Sequence, residues 1–257
     1  MSDSFGTWQL DALVAVGGLG EIWRATRGDL SDAVAVKRMH THLLRNDEAR
    51  DQFAREQQLV TTLPSHPNVV RGIEADAVAE RPYLAMELVP GQDLRRMLAP
   101  SPMPRHSALA IVRAACDAAS HLHANGWIHG DINPSNLVID TASDRVVLID
   151  LGIARPIAEA GTPRGTHAYM APEQVRGEAW TPATDVFALG VVLWELCAGA
   201  RLFHRGPSYL SMQAVIDFDP PALSERDLDS IARAALVKDP AKRISSPREL
   251  ADRLSGN

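Results

Sequence analysis

The spacing of apolar residues changes character along the 257-residue chain. From residue 8 to about 89, short alternating runs predict strands, interrupted by one helical stretch; from about residue 92 onward, helical spacing dominates. The early helix follows Asn46, with Asp47 and Glu48 well placed in its first turn. Within it Phe53, Glu56, Val60 and Leu63 recur at three- and four-residue steps, so Glu56 falls in the middle of the inward stripe. The run VAVK (34–37) alternates, which puts Lys37 on the same face as Ala35 and Met39. Farther along, HSALAIVRAACDAASHLHANG (106–126) sets Val112, Ala115, Ala119 and Leu122 at helical spacing and ends on Asn125-Gly126, a helix stop. LVID (137–140) and VVLID (146–150) flank the polar turn TASDR and predict a β-hairpin. The most apolar run, VFALGVVLWELCAGA (186–200), follows Asp185 and contains Glu195. It falls short of the roughly 20 residues needed to span a bilayer and reads as a core helix.

Composition narrows the picture. Hydrophobic residues make up 46% of the chain, ample for a buried core. Acidic residues outnumber basic ones 32 to 26, giving a net charge of -6, and no Lys/Arg stripe suits a phosphate backbone, so nucleic acid is not expected as a partner. Cys116 and Cys197 are too few for a disulfide framework, and the start MSDSFGTWQL has neither the basic residues nor the apolar centre of a secretion signal. The expectation is a cytoplasmic protein with no membrane segment. No internal repeat, low-complexity tract or long linker divides it.

Candidate chemistry follows from the predicted elements. Antiparallel pairing in the 137–150 hairpin brings Asn136 beside Asp150, a carbonyl and a carboxylate oxygen facing one space, which suits a hard cation such as Mg²⁺. Asp131, in the preceding loop HGDINPSN (129–136), can reach the same space. The competing reading is that Asp150 caps a turn and Asp131 makes loop hydrogen bonds. Lys37 and Glu56 are each inward charges on apolar faces, costly unless paired, and so are expected to meet; the alternative is that one or both snorkel to water. In LVAVGGLGEIWRA (13–25), Gly17, Gly18 and Gly20 lie between two strand-like runs, where backbone free of side chains can approach phosphates. Alone, such a hairpin is more often a plain turn than a nucleotide loop.

Taken in order, these pieces resemble the eukaryotic-type (Hanks-type) serine/threonine protein kinases, in particular bacterial-like members. The set is a glycine loop, VAVK, Glu56 in a helix, HGDINPSN, DLG (150–152), YMAPEQ (169–174), DVFALG (185–190) and DPAKR (239–243). The resemblance covers about residues 8–255 and implies an α+β, bilobal fold. An N-lobe (8–89) would hold an antiparallel five-stranded sheet and one helix, above a mainly helical C-lobe (90–255), with ATP in the cleft. It implies that Lys37 holds the α- and β-phosphates, Glu56 orients Lys37, Asp131 accepts or orients the proton of the substrate hydroxyl, and Asn136 with Asp150 holds Mg²⁺. Thr166 matches the threonine packed beside the catalytic aspartate. Ala15, Gly17, Gly18, Gly20, Ile22 and Ala35 match nucleotide-contacting positions, Met86 the gatekeeper, Glu87 and Val89 the adenine-binding backbone, and Asp93 an acidic ribose contact. Glu173 and Arg243 match a structural ion pair, Asp185 a buried support for the catalytic loop, and His129 a packing residue beside Leu151.

The departures matter as much. Gly130 and Asn133 stand where the family usually has arginine and lysine, Ala15 where the glycine loop usually begins, and Leu151 replaces the phenylalanine of DFG. The missing arginine and the single hydroxyl, Thr162, between Gly152 and Gly165 lead to the expectation of activity without loop phosphorylation. Arg164 is a candidate to replace the missing lysine. The expected activity is ATP- and Mg²⁺-dependent transfer of the γ-phosphate to Ser/Thr hydroxyls of a protein substrate, with input from a separate sensor or regulatory protein. The alternatives are a pseudokinase acting as a nucleotide-binding scaffold, and a small-molecule phosphotransferase, which shares the HGD loop but lacks YMAPEQ and DVFALG.

Overall fold

The alternation read from residue 8 belongs to a sheet that begins earlier in the chain. In the computed structural model, which describes residues 3–159 and 164–256, strand β1 (Asp3–Phe5) pairs antiparallel with β2 (Trp8–Val16). The sheet continues through β3 (Gly20–Thr26), β4 (Val34–Met39), β5 (Gly72–Val78) and β6 (Arg81–Glu87). It has six strands, in the order β1-β2-β3-β4-β6-β5, correcting the expected five. A three-residue strand carries too little alternation to be read locally; only its pairing with Trp8, Gln9 and Leu10 defines it.

This sheet belongs to the first of two units, which runs to His66 and resumes over Val70–Pro90. Central strand β4 is buried on both faces. Val34 and Val36 join Phe5, Trp8, Leu10 and Tyr83 in one apolar cluster, while Met39 packs with Ala49 and Phe53. Those two belong to helix α1 (Asp47–Thr62), whose start is set by Asn46: its side chain accepts a hydrogen bond from Ala49 N–H at 2.9 Å. The buried stripe of α1 is Ala49, Phe53, Glu56, Leu59 and Val60; Leu63, expected to extend it, is instead the residue that ends the helix.

The second unit comprises Pro67–Val69 and the chain from Gly91. Strand β7 (Gly91–Asp93) leads into the short helix α2 (Leu94–Met97), then α3 (Arg105–Ala124). Val112, Ala115, Ala119 and Leu122 are fully buried on α3, as their spacing predicts. After β8 (Trp127–Ile128), the expected hairpin forms from β9 (Leu137–Asp140) and β10 (Val146–Leu148), with β7 on its other edge. Strand β11 (Arg155–Pro156) pairs with β8. Helix α4 (Pro172–Val175) precedes α5 (Pro182–Ala198), in which every residue from Ala183 to Leu196 is buried. Helices α6 (Ser208–Asp217), α7 (Arg226–Ala235) and α8 (Pro247–Ser255) complete the unit. The apolar run is therefore a core helix, and among the described residues no helix is long and apolar enough to cross a membrane.

Candidate functional site

In the first unit the inward lysine and glutamate meet. Lys37 Nζ lies 2.6 and 2.8 Å from the two carboxylate oxygens of Glu56, and the side chains are 7% and 2% exposed, so neither snorkels. The strand register explains the surroundings. Ala15 pairs with Ile22, Ile22 with Lys37, and Ala35 with Met86, and directly opposed residues project to the same face. Ala35 and Lys37, two apart on β4, share that face too. Ala15, Ile22, Ala35, Lys37 and Met86 thus form one surface of the sheet. Glu87 N–H is taken by the Arg71 carbonyl at 2.9 Å, and Val89 follows at the end of the unit.

The glycine hairpin divides by cause. Gly17 N–H donates to the Gly20 carbonyl at 2.8 Å, closing the turn, and His40 holds the Gly17 carbonyl through Nε2 at 2.9 Å. A side chain at Gly18 would meet open space, whereas a Cβ on Gly20 would overlap the Arg38 carbonyl of β4. Gly20 is therefore required by strand packing, whereas nothing packs against Gly18.

In the second unit the loop after β8 is held from beneath by Asp185 at the start of α5. Its carboxylate accepts from His129 N–H at 2.9 Å and Gly130 N–H at 2.8 Å, and His123 Nε2 lies 2.7 Å away. Burial works to raise the Asp185 carboxyl, but the His123 contact and the backbone donors outweigh it and hold it below the usual range. His129 is fully buried; its Nδ1 accepts from Asp131 N–H at 3.1 Å.

Asp131 sits at the centre of a small network. Thr166 N–H donates to its Oδ1 at 2.7 Å, and Asn136 Nδ2 donates to its backbone carbonyl at 2.9 Å and to Oδ2 at 3.2 Å. Asn133 Nδ2 bridges the Asp131 carbonyl, at 3.0 Å, and the Thr166 hydroxyl, at 3.1 Å, while its Oδ1 caps the turn Pro134–Asn136. Burial raises the Asp131 carboxyl above the ordinary aspartate value, and the Thr166 N–H and hydroxyl pull it back only in part. Asn136 is joined to the hairpin end by Ile149 N–H, which donates to its carbonyl at 2.9 Å. Asp150 follows at φ 61°, a left-handed conformation rare for aspartate and a form of strain that clusters at functional sites.

This arrangement fits a hard cation. The amide nitrogen of Asn136 is committed to Asp131, so its carbonyl oxygen is the end left to ligate, and Asp150 adds a carboxylate. Asp93 is used locally: it caps α2 by accepting from Arg96 N–H at 3.0 Å and pairs with the Arg96 side chain. Glu173 and Arg243 form a bidentate pair at 2.7 and 2.9 Å, essentially without exposure. Thr162 lies outside the described residues.

Sequence reasoning missed several neighbours. Gln174 donates to the Gly130 carbonyl at 2.8 Å, and Trp180 packs directly over Gly130. Tyr169, Glu195, Arg95 and Arg201 form a further polar group drawn from α2, α5, the loop after α5 and the segment after Thr166. None lies at a regular spacing from its partner, so no local pattern could have announced them.

Comparison with known proteins follows the same outline. The family described as "Protein kinase domain" matches residues 8–254. The serine/threonine-protein kinase PknB of Mycobacterium leprae is 34% identical over 261 residues, covering 95% of this chain and 42% of that protein. Serine/threonine-protein kinase pkn2 of Myxococcus xanthus is 32% identical over 258 residues, covering 93% of this chain and 31% of that protein. The chain thus spans well under half the length of these relatives. Among solved structures, the Mycobacterium tuberculosis PknI kinase domain superposes with a TM-score of 0.79 at 26% identity, covering 99% of this chain and 98% of that one.

Proposed function

Because this chain belongs to the protein kinase family, we propose that it transfers the γ-phosphate of ATP, with Mg²⁺, to serine or threonine hydroxyls of protein substrates. The single observation that carries the reading is the network on Asp131, whose carboxylate is aimed and polarised by Thr166 and Asn136. Bound ATP with its Mg²⁺ supplies the phosphoryl group and offsets its charge. The residues of this chain do the positioning. Lys37, locked by Glu56, would present a fixed cation to phosphate oxygens; Asn136 and Asp150 would hold the metal; Gly17 and Gly18 would offer bare backbone; Met86, Glu87 and Val89 with Ala15, Ile22 and Ala35 would take the adenine, and Asp93 the ribose. Asp131 orients the acceptor hydroxyl and takes its proton.

The pseudokinase alternative is not favoured. A degenerate site is expected to lose partners, yet Lys37 keeps Glu56, and Asp131 keeps both Asn136 and Thr166. Asn133 removes the cation usual at its position but keeps its contact with Thr166. Loss of one such charge costs on the order of 10²–10³ in rate, so the enzyme is slow rather than dead. A reducing compartment, the cytoplasm, suits Cys116 and Cys197, both free thiols.

Incubation with ATP labelled at the γ-phosphate, with and without a generic protein acceptor, tests the proposal. Label on serine or threonine that falls by about 10²–10⁴ in Asp131→Asn is the expected result. Nucleotide binding with no transfer under any divalent cation would leave a binding module instead.

A further inference from the structure

Outside the network on Asp131, the second unit contains a pocket of about 460 Å³ whose lining includes Arg95, Leu98, Glu195 and Arg201. Its charge balance is unusual. Glu195 is buried, with a side chain 1% exposed, and both of its oxygens are already engaged. Oε2 accepts from the Tyr169 hydroxyl at 2.5 Å; Oε1 accepts from Arg201 Nε at 3.2 Å and from Leu202 N–H at 3.0 Å. Arg95 donates to the Tyr169 hydroxyl and lies 3.9 Å from the same carboxylate. Both guanidinium groups also sit over the Tyr169 ring, each 5.5 Å from its centroid. Burial and the Glu195 charge push the Tyr169 hydroxyl well above its ordinary value, so it stays a donor to that carboxylate.

One carboxylate therefore faces two guanidiniums. The single negative charge of Glu195 is set against two positive charges, so the arginines, 27% and 35% exposed, leave a surplus of positive charge at the cavity. Among the described residues, the terminal nitrogens of Arg201 have no protein partner. Partly exposed guanidiniums with spare N–H groups at the wall of a concave pocket suit a planar or tetrahedral anion, bound through paired hydrogen bonds. The pocket is also tied to the reacting centre. Tyr169 N–H donates to the Thr166 carbonyl at 2.8 Å, closing one tight turn, and Thr166 N–H holds Asp131. Turn plus tyrosine side chain spans at most about five residues of extended peptide.

We propose that the Arg95–Arg201 pocket binds an anionic side chain of the protein substrate, close in sequence to the phosphoacceptor, and so selects acidic substrates. This deepens the kinase reading and rests on it. The same chemistry serves a carboxylate or a phosphorylated residue, and the test separates the two sources.

Peptides carrying glutamate, glutamine, lysine or phosphoserine at each of five positions on either side of the acceptor threonine are compared as substrates. The wild-type protein is expected to prefer glutamate over glutamine at one position by about tenfold in kcat/KM, through KM. The preference falls towards unity in Arg201→Gln and Arg95→Gln, with turnover of the glutamine peptide unchanged. Glu195→Gln, which removes the counter-charge, strengthens it, and this opposite sign guards against simple loss of folding. A stronger effect from phosphoserine assigns the pocket to previously phosphorylated substrates; an effect from glutamate alone assigns it to acidic ones. The same peptides with alanine at the acceptor, titrated by fluorescence anisotropy, report binding without transfer. Arginine-dependent binding there supports the pocket even if no phosphate is transferred, which would count against the kinase reading alone. No acidic preference in either assay, a preference for lysine, or one that survives Arg201→Gln overturns the proposal.

Discussion

The indole ring of Trp180 occupies the space that a side chain on Gly130 would need. A Cβ built on Gly130 would overlap Cζ3 of that ring, and the backbone there has φ 76°, a region L-residues avoid. The arginine usual at this position in the family therefore has no room. The chain after Gly152 is tied to Trp180 instead: Arg155 lies over its ring at 4.9 Å from the centroid, and Ala158 N–H donates to its carbonyl at 2.8 Å.

Restoring the family arginine is expected to damage the fold rather than add control. Gly130→Arg should lose roughly 2–5 kcal/mol from left-handed strain and overpacking. Adding Trp180→Ala should return part of that loss, and a double-mutant cycle from denaturant unfolding measures the coupling. Thr162→Ala should keep its turnover; complete loss would show that loop phosphorylation is required after all.

If Asp131 is the base, its raised carboxyl should set the acid limb of the pH–rate profile. A base must be ionised, so kcat/KM should fall on the acid side at a pH above the ordinary aspartate value. Thr166 lowers this value through its N–H and its hydroxyl. Thr166→Val removes the hydroxyl, so the acid limb should move to still higher pH. An unmoved limb would mean that Asp131 is not the titrating group.

Glu173 and Arg243 should prove structural. Removing one partner of a buried ion pair costs about 3–5 kcal/mol because the other charge is stranded. Glu173→Ala strands Arg243, which also donates to the Ala183 carbonyl at 2.7 Å. The expected result is a large fall in the unfolding midpoint, with the KM for ATP unchanged in the fraction that remains folded.

Asp185 links stability to pH. Its folded value lies below the reference of 3.8, so its contribution is complete above the unfolded value and is lost as the pH falls through the lower folded value. Asp185→Asn should therefore be less stable than wild type at neutral pH, with the gap narrowing below about pH 4. Denaturant unfolding from pH 3 to 7 reads this directly, and a gap that widens on acidification would contradict it.

Features with a local cause were legible in advance. Asn46 caps α1 because its side chain reaches an N–H three residues on, and the hairpin 137–148 follows from two alternating runs around a polar turn. Lys37 and Glu56 could be paired across 19 residues because two inward charges need each other. The loop HGDINPSN placed Asp131 and Asn136 together because their separation along the chain is short.

Tertiary packing alone decided the rest. β1 exists only as a partner for β2, and Gly20 is glycine because β4 passes against it. Glu195 reads in the sequence as a break in an apolar helix; its pairing with Arg95, Tyr169 and Arg201 gathers residues from three separate stretches. Trp180 reaches Gly130 from fifty positions away. Periodicity and capping act within a few residues and dictate which face an element buries. Which distant side chain fills a given space is settled only when those faces close on one another, because steric exclusion and charge pairing act through space and leave no spacing in the chain.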